Sequence, residues 1–263
     1  MEGTEVPPLL SLNEVTHYFG GLRAVADFSL ELPDSALYGL IGPNGAGKTT
    51  VFNLITGIYR PSQGTIAVRG ASLLGKRPHQ IVQLGVARTF QNLRIFNSLS
   101  VLDNIRVARH YTVCSNLGDS VLGTARCKRE EFTVRAEAQQ LLEIFGLTGR
   151  MHETAGNLPY GELRKLEIAR ALATHPKILL LDEPAAGMNP REVGQLMELI
   201  KMIREKYQLS ILLIEHHMRV VMNICQFIKV IDFGETIAQG GPRTVANDPR
   251  VIEAYLGQET IHA

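Results

Sequence analysis

Two short segments hold most of the residues whose types and spacing suit chemistry. The first is Gly42-Pro43-Asn44-Gly45-Ala46-Gly47-Lys48-Thr49, which fits G-x-x-x-x-G-K-[ST]. Glycines let the backbone curl closely around phosphate oxygens, so that several N–H groups point inward at one anion. A helix starting at Lys48 adds the positive end of its dipole. In that setting Lys48 reaches the β- and γ-phosphates and the Thr49 hydroxyl ligates Mg2+. Gly42, Pro43, Asn44, Gly45, Ala46, Gly47, Lys48, Thr49 and Thr50 are therefore the candidate phosphate-binding set. A glycine-rich turn that merely caps a helix is the plain alternative. The bare pattern arises by chance in roughly one chain in a hundred of this length, and the strand–loop–helix context lowers that further. The second segment is Asp182-Glu183, two acids ending the apolar run Ile178-Leu179-Leu180-Leu181. Carboxylates at the C-terminal end of a parallel strand face the crevice where such a loop lies. Asp182 is placed to hold Mg2+, directly or through a water, and Glu183 to polarise the water that attacks the γ-phosphate.

Positioning these groups requires a particular order of elements. Phe28, Leu30 and Leu32 alternate with Ser29 and Glu31 as in a half-buried strand, and Leu37–Ile41 reads as a central strand feeding the glycine-rich loop. A helix runs from Lys48 toward Gly57, and a further strand covers Thr65–Arg69. From about Asn92 to Leu172 the chain reads as mostly helical, with Val134–Phe145 and Glu162–Ala173 the clearest periods. Thr112–Glu131, with mixed charges and glycine or serine breaks, reads as a loop or insertion. Strand and helix then alternate again: Ile178–Leu181, a helix over Arg191–Lys206, Ile211–Ile214, Phe227–Ile231, and a hairpin turn at Asp232–Glu235 into Thr236–Gln239. The expected fold is α/β: a parallel sheet covered on both faces, with a helical subdomain over about 92–172 inserted into it.

Composition narrows the function. The chain has 263 residues, 45% hydrophobic and 20% charged, enough for a full core. Lys+Arg is 27 against Asp+Glu 26, which disfavours gripping nucleic acid by bulk charge. Cys114, Cys127 and Cys225 are too few and too scattered for a disulfide framework. No run approaches the roughly eighteen apolar residues that span a bilayer, and Met1–Pro8 lacks the basic start of a signal peptide. The expected location is the cytosol, or a membrane surface reached through something else.

Leu158-Pro159-Tyr160-Gly161-Glu162, followed by the helical stretch Arg164–Leu172, resembles the LSGGQ signature of the ATP-binding subunits of ABC transporters. That resemblance implies an α/β fold with a P-loop NTPase core, a RecA-like parallel sheet with an antiparallel β subdomain, plus the inserted α-helical subdomain over 92–172, all in one domain spanning 1–263. Other motifs of that family follow in order. Phe19, before Gly20-Gly21, resembles the aromatic residue that stacks on adenine; neighbouring Tyr18 competes for that role. Gln91 in Arg88-Thr89-Phe90-Gln91 resembles the Q-loop glutamine, a sensor of the metal and the attacking water. Ala186-Gly187-Met188-Asn189 resembles the D-loop, and His216 the switch histidine that donates to the γ-phosphate. His217 is assigned no role. The resemblance thus implies a catalytic set of Glu183, His216 and Gln91, a metal set of Thr49, Gln91 and Asp182, and ATP with Mg2+ as the cofactors. It also implies Phe19, Tyr160, Gly161 and Glu162 as nucleotide contacts, the last three acting on ATP bound by the other subunit of a head-to-tail dimer. Two positions depart from the family pattern. Pro159 replaces the signature serine and has neither hydroxyl nor amide hydrogen, and Asn189 replaces the usual D-loop aspartate.

The Tyr-Gly signature, Glu183–Pro190, Ala87–Asn92 and the tail Asp248–Gly257 resemble the larger ATPase subunit of branched-chain amino acid importers. The implied function is ATP hydrolysis driving uptake of branched-chain or related hydrophobic amino acids. The implied partners are a second ATPase subunit, identical or not, transmembrane permease subunits and, indirectly, a substrate-binding protein, but no nucleic acid. The implied location is peripheral, on the cytoplasmic face of the plasma membrane. An ATPase of a urea or amide importer and a soluble non-transport ABC ATPase are the alternatives; a non-catalytic partner is disfavoured because Glu183 and His216 are both present. Arg94–Arg109 is expected to border the groove for a permease coupling helix, with Ile95, Phe96, Leu99, Val101 and Leu102 lining it unless they simply pack the helical subdomain.

Overall fold

The computed structural model describes residues 7–109, 124–216 and 218–259. Its strands sort into two sheets. The antiparallel sheet comprises β1 (Leu10–Phe19), β2 (Leu22–Leu32), β4 (Gln63–Val68) and β5 (Ala71–Ser72), in the order β2-β1-β4-β5. The second sheet runs β10-β9-β3-β8-β7-β6, from β3 (Leu37–Ile41), β6 (Val86–Arg88), β7 (Ile178–Asp182), β8 (Ser210–Ile214), β9 (Phe227–Asp232) and β10 (Glu235–Gly240). Every pairing in it is parallel except β9 with β10. Such a sheet needs cover on both faces, and the central strands β7 and β8 are buried at every residue.

Alternation along these strands divides the interior into two cores. Leu180, Leu212 and Ile214 point into the core that also holds α1 (Lys48–Ile55) and the antiparallel sheet. Leu179, Leu181, Ile211 and Leu213 point into the opposite core, against α6 (Pro190–Tyr207) and the helices lying between β6 and β7. Those helices are α3 (Val101–Arg109), α4 (Ala125–Ile144) and α5 (Tyr160–Leu172), which pack on one another. Helices α2 (Pro78–Gln83), α7 (Met218–Ile224), α8 (Pro242–Ala246) and α9 (Pro249–Glu259), with 3-10 turns at Thr148–Arg150 and Ala155–Asn157, complete the described elements. The chain is α/β, as its sequence predicts.

Two expectations change. Thr112–Glu131 reads as a loop, yet α4 already begins at Ala125, capped by the Thr124 hydroxyl accepting from the Cys127 N–H at 3.3 Å. Charged Lys128, Arg129, Glu130 and Glu131 hide its period, because this end of the helix buries little apolar surface. Residues 112–123 of that segment lie outside the described residues, as do 110, 111 and His217. The helical reading from Asn92 also begins too early: the first helix there starts at Val101, after an irregular stretch carrying Gln91 and its neighbours.

Candidate functional site

The loop between β3 and α1 is shaped by its glycines. Gly47 sits at φ 101°, and a Cβ there would lie 2.4 Å from the Ala24 carbonyl, so no other residue fits. Inside the loop the Lys48 ammonium donates to the Gly42 and Pro43 carbonyls, both at 2.7 Å. Lys48 is buried, and burial pulls its pKa below the usual lysine range; the charges of Glu183 and Asp182 act in the opposite direction. Asn44, Gly45, Ala46, Gly47, Lys48, Thr49 and Thr50 all line one cavity of about 410 Å3, together with Phe19, Gln91 and Glu183. Gly42 and Pro43 lie behind it and shape it through Lys48. The structure thus brings the loop, the aromatic residue, the glutamine and the second acid to one place from four distant segments.

Glu183 follows the last residue of β7 and adopts φ 46°, a left-handed conformation costly for a residue with a side chain. Its N–H is held by the Ile214 carbonyl at 2.9 Å. The strained turn directs its carboxylate at both other candidates. Gln91 Nε2 donates to Glu183 Oε2 at 3.1 Å, and His216 Nδ1 lies 3.7 Å from the same oxygen. Next to His216, fully buried Glu215 accepts the Ala185 N–H at 2.9 Å, tying the end of β8 to the segment after Glu183.

Asp182 does not face open solvent. It is 1% exposed, and its Oδ2 accepts from Arg88 Nη2 at 2.8 Å while Arg88 Nη1 donates to Asn53 Oδ1 at 2.6 Å. The guanidinium also lies over the rings of Phe52 and Phe90. Burial raises the Asp182 carboxyl above the ordinary range, and Arg88 pulls it back. Arg88, absent from the sequence-derived site, is thus its main counter-charge. Arg88→Ala strands a buried carboxylate, so we expect a loss of about 3–5 kcal/mol of stability. A urea midpoint that falls without a change in slope checks this; an unchanged midpoint refutes it.

Phe19 is half exposed at the cavity mouth, backed edge-on by His17 at 4.7 Å and Tyr59 at 5.1 Å. Tyr18 is equally exposed but does not line the cavity, whereas Phe19 does.

Tyr160, Gly161 and Glu162 open α5, with Pro159 at its N-cap, and they stand apart from the cavity lining. Tyr160 packs against Gly187, and its hydroxyl accepts from Arg164 Nη2 at 2.8 Å. Arg164 and Glu167, both buried, also hold the backbone around Gln91. Arg164 donates to the Phe90 and Gln91 carbonyls at 2.9 and 2.5 Å, and Glu167 accepts the Phe90 and Arg94 N–H groups at 3.3 Å. The two also pair with each other at 3.2 Å, and the further charges Glu162, Lys165 and Arg170 on the same helix leave this pair without a distinguishing signal in the sequence. Asn189 has a structural use: its side chain caps α6 through the Arg191 and Glu192 N–H groups, and Glu192 accepts the Asn189 N–H in return. An aspartate would cap equally well.

A second groove, about 440 Å3, is lined by Arg94, Ile95, Phe96, Val107, Ala108 and Arg170. Of the residues expected there, Ile95 and Phe96 line it. Val101 and Leu102 do not; both are buried in the helical core, because the inner face of α3 packs on α4 and α5. Leu99 is also absent from the lining.

Three comparisons bear on this arrangement. Residues 25–186 match the family model described as ABC transporter, and residues 235–260 the one described as branched-chain amino acid ATP-binding cassette transporter. Over 251 residues the chain is 46% identical to the high-affinity branched-chain amino acid transport ATP-binding protein LivG of Escherichia coli K12, covering 95% of this chain and 98% of that one. It is 43% identical, with the same coverage, to BraF of Pseudomonas aeruginosa, which carries the same description. Its fold is similar to the crystal structure of the ADP conformation of MJ1267, an ATP-binding cassette of an ABC transporter, with a TM-score of 0.82 and 29% identity over 95% of this chain and 98% of that one.

Proposed function

Because this chain belongs to the ABC transporter ATP-binding family, we propose that it is the ATP-hydrolysing subunit of an importer of branched-chain amino acids. The observation that carries the catalytic part is the convergence of Gln91 and His216 on one oxygen of Glu183, at the mouth of a glycine-rich phosphate loop. Lys48 and the loop N–H groups bind the phosphates, Thr49 and Thr50 supply hydroxyls, and Phe19 stacks on the base. Glu183 takes the proton of the attacking water, Gln91 orients that water, and His216 donates to the γ-phosphate as charge develops.

The residues present fit Mg2+. Asp182 Oδ1 is a buried oxygen without a hydrogen-bond partner, and the Thr49 hydroxyl lines the adjoining cavity. Bound there with Thr49, Asp182 and Gln91, the ion supplies neutralisation of phosphate charge.

We take residues 92–172 as a helical subdomain inserted into one ATPase domain spanning 1–263. Tyr160, Gly161 and Glu162 would act on the nucleotide of a second ATPase subunit placed head to tail, through a helix N-terminus in place of the serine that Pro159 lacks. No helix among the described residues is long and apolar enough to cross a membrane. The description of its relatives as transport ATP-binding proteins supports a transport path on separate permease subunits, with this chain peripheral on the cytoplasmic face of the plasma membrane. The groove at Ile95 and Phe96 would seat a permease helix. Phe96, half exposed under Arg170, is its apolar anchor, and Phe96→Glu is expected to weaken permease binding by roughly 30-fold, the loss of about 2 kcal/mol at an interface hot spot. Pull-down of permease by this variant at wild-type strength would refute the docking assignment.

Purification of the full chain from its native membrane tests the whole reading. Permease subunits are expected to co-purify, and the binding protein that delivers to them should be stabilised by leucine, isoleucine and valine. A binding protein stabilised by urea or a short amide instead would overturn the substrate.

A further inference from the structure

Phe233 is an unusual residue for its place. It sits in the turn between β9 and β10, where it is 86% exposed and takes φ 43°. Short hairpin turns that need a positive φ ordinarily use Asn, Asp or Gly, because a bulky side chain crowds its own backbone there. A large apolar ring gains nothing from facing water, so neither the turn nor the core accounts for it.

The turn is fixed in position by what surrounds it. The Gly234 N–H donates to the Ala46 carbonyl of the phosphate loop at 3.0 Å, and the Gly234 carbonyl accepts the Ala26 N–H at 2.9 Å. Beside it, Arg23 of β2 forms an ion pair with Glu235. Phe233 is thereby held on the rim of the same cavity as Phe19, Leu22 and Ala24. These are the apolar members of a lining whose remainder is the polar phosphate loop, Arg23, Gln91 and Glu183.

We propose that Phe233 is a second aromatic contact for the base of the bound nucleotide, Phe19 being the first. This inference rests on the reading of the cavity as an ATP site. An exposed ring over a base is desolvated only when the base is present, so its stabilisation appears on binding and not on folding. A purine offers two such rings more area than a pyrimidine does, so Phe233 also contributes preference for ATP over CTP.

Equilibrium binding of ATP, CTP and inorganic tripolyphosphate to the full chain and to Phe233→Asn and Phe233→Tyr tests this. Asn suits the turn, so the variant should melt at or above the wild-type temperature. It should nevertheless bind ATP about tenfold more weakly, within the range for losing one base–aromatic contact, and lose most of the ATP-over-CTP preference. Tripolyphosphate, which has no base, should bind both alike, and Phe233→Tyr should restore ATP affinity. Equal ATP affinity in wild type and Phe233→Asn overturns the proposal, as does an equal loss for ATP and tripolyphosphate. Failure of the wild-type chain to bind either ligand instead sinks the reading of the cavity itself.

Discussion

Glu183→Gln is expected to slow ATP turnover by about 10²–10⁴-fold, the contribution of a positioned general base, while ATP still binds. Gln is nearly isosteric, and the backbone at position 183 is set by the Ile214 carbonyl and the end of β7, so the side chain keeps its place. What it loses is the capacity to take a proton. Gln91 and His216 converge on Oε2, and an amide oxygen there still accepts from both sides, so the variant removes the base without removing the neighbours' contact point. Single-turnover hydrolysis measured beside nucleotide binding separates the two properties. A variant that hydrolyses ATP at the wild-type rate would remove Glu183 from the chemistry.

The second large effect falls on binding. Lys48→Ala is expected to weaken ATP affinity at least about 100-fold, since charge-assisted hydrogen bonds contribute about 1.5–3 kcal/mol each. The ammonium is buried and pre-oriented, held at 2.7 Å by two carbonyls of its own loop. Burial alone favours neutral lysine, but the nearby Asp182 and Glu183 carboxylates favour the charged form that phosphate needs. Removing Lys48 therefore deletes the cation and leaves the Gly42 and Pro43 carbonyls without this donor. Calorimetric titration with ATP gives the affinity directly, and an unchanged Kd would exclude the loop as the phosphate site.

What the sequence made legible follows from where each signal is written. Leu37–Ile41, Ile178–Leu181 and Ile211–Ile214 are strands buried on both faces, so unbroken apolar runs reveal them. The candidate phosphate loop and Asp182-Glu183 were legible because each is a contiguous run of sequence. Arg88 was not, because its meaning comes from Asp182, 94 residues away, and from Asn53 on α1. Arg164 and Glu167 escaped for the same reason: nothing near them in sequence announces that they hold the backbone around Gln91. Phe233 sits in a segment correctly read as a hairpin turn, yet only the packing of that turn against Ala46 and Ala26 brings the ring to the cavity. Tyr18 and Phe19 are adjacent aromatic residues on a regularly paired stretch of β1, so strand alternation sends their side chains to opposite faces and only Phe19 lines the cavity. Asn189 departs from the family's aspartate, and its capping box, which an aspartate would form equally well, does not explain the change.

The most direct measurement is uptake of radiolabelled leucine into proteoliposomes that contain the permease subunits and this chain, with the binding protein supplied outside and ATP inside. Leucine, isoleucine and valine should accumulate only with ATP present, and Glu183→Gln should abolish accumulation while leaving the complex assembled. Leucine uptake that continues with the Glu183→Gln chain, or ATP-driven accumulation of urea in place of leucine, would contradict a branched-chain amino acid importer powered at Glu183.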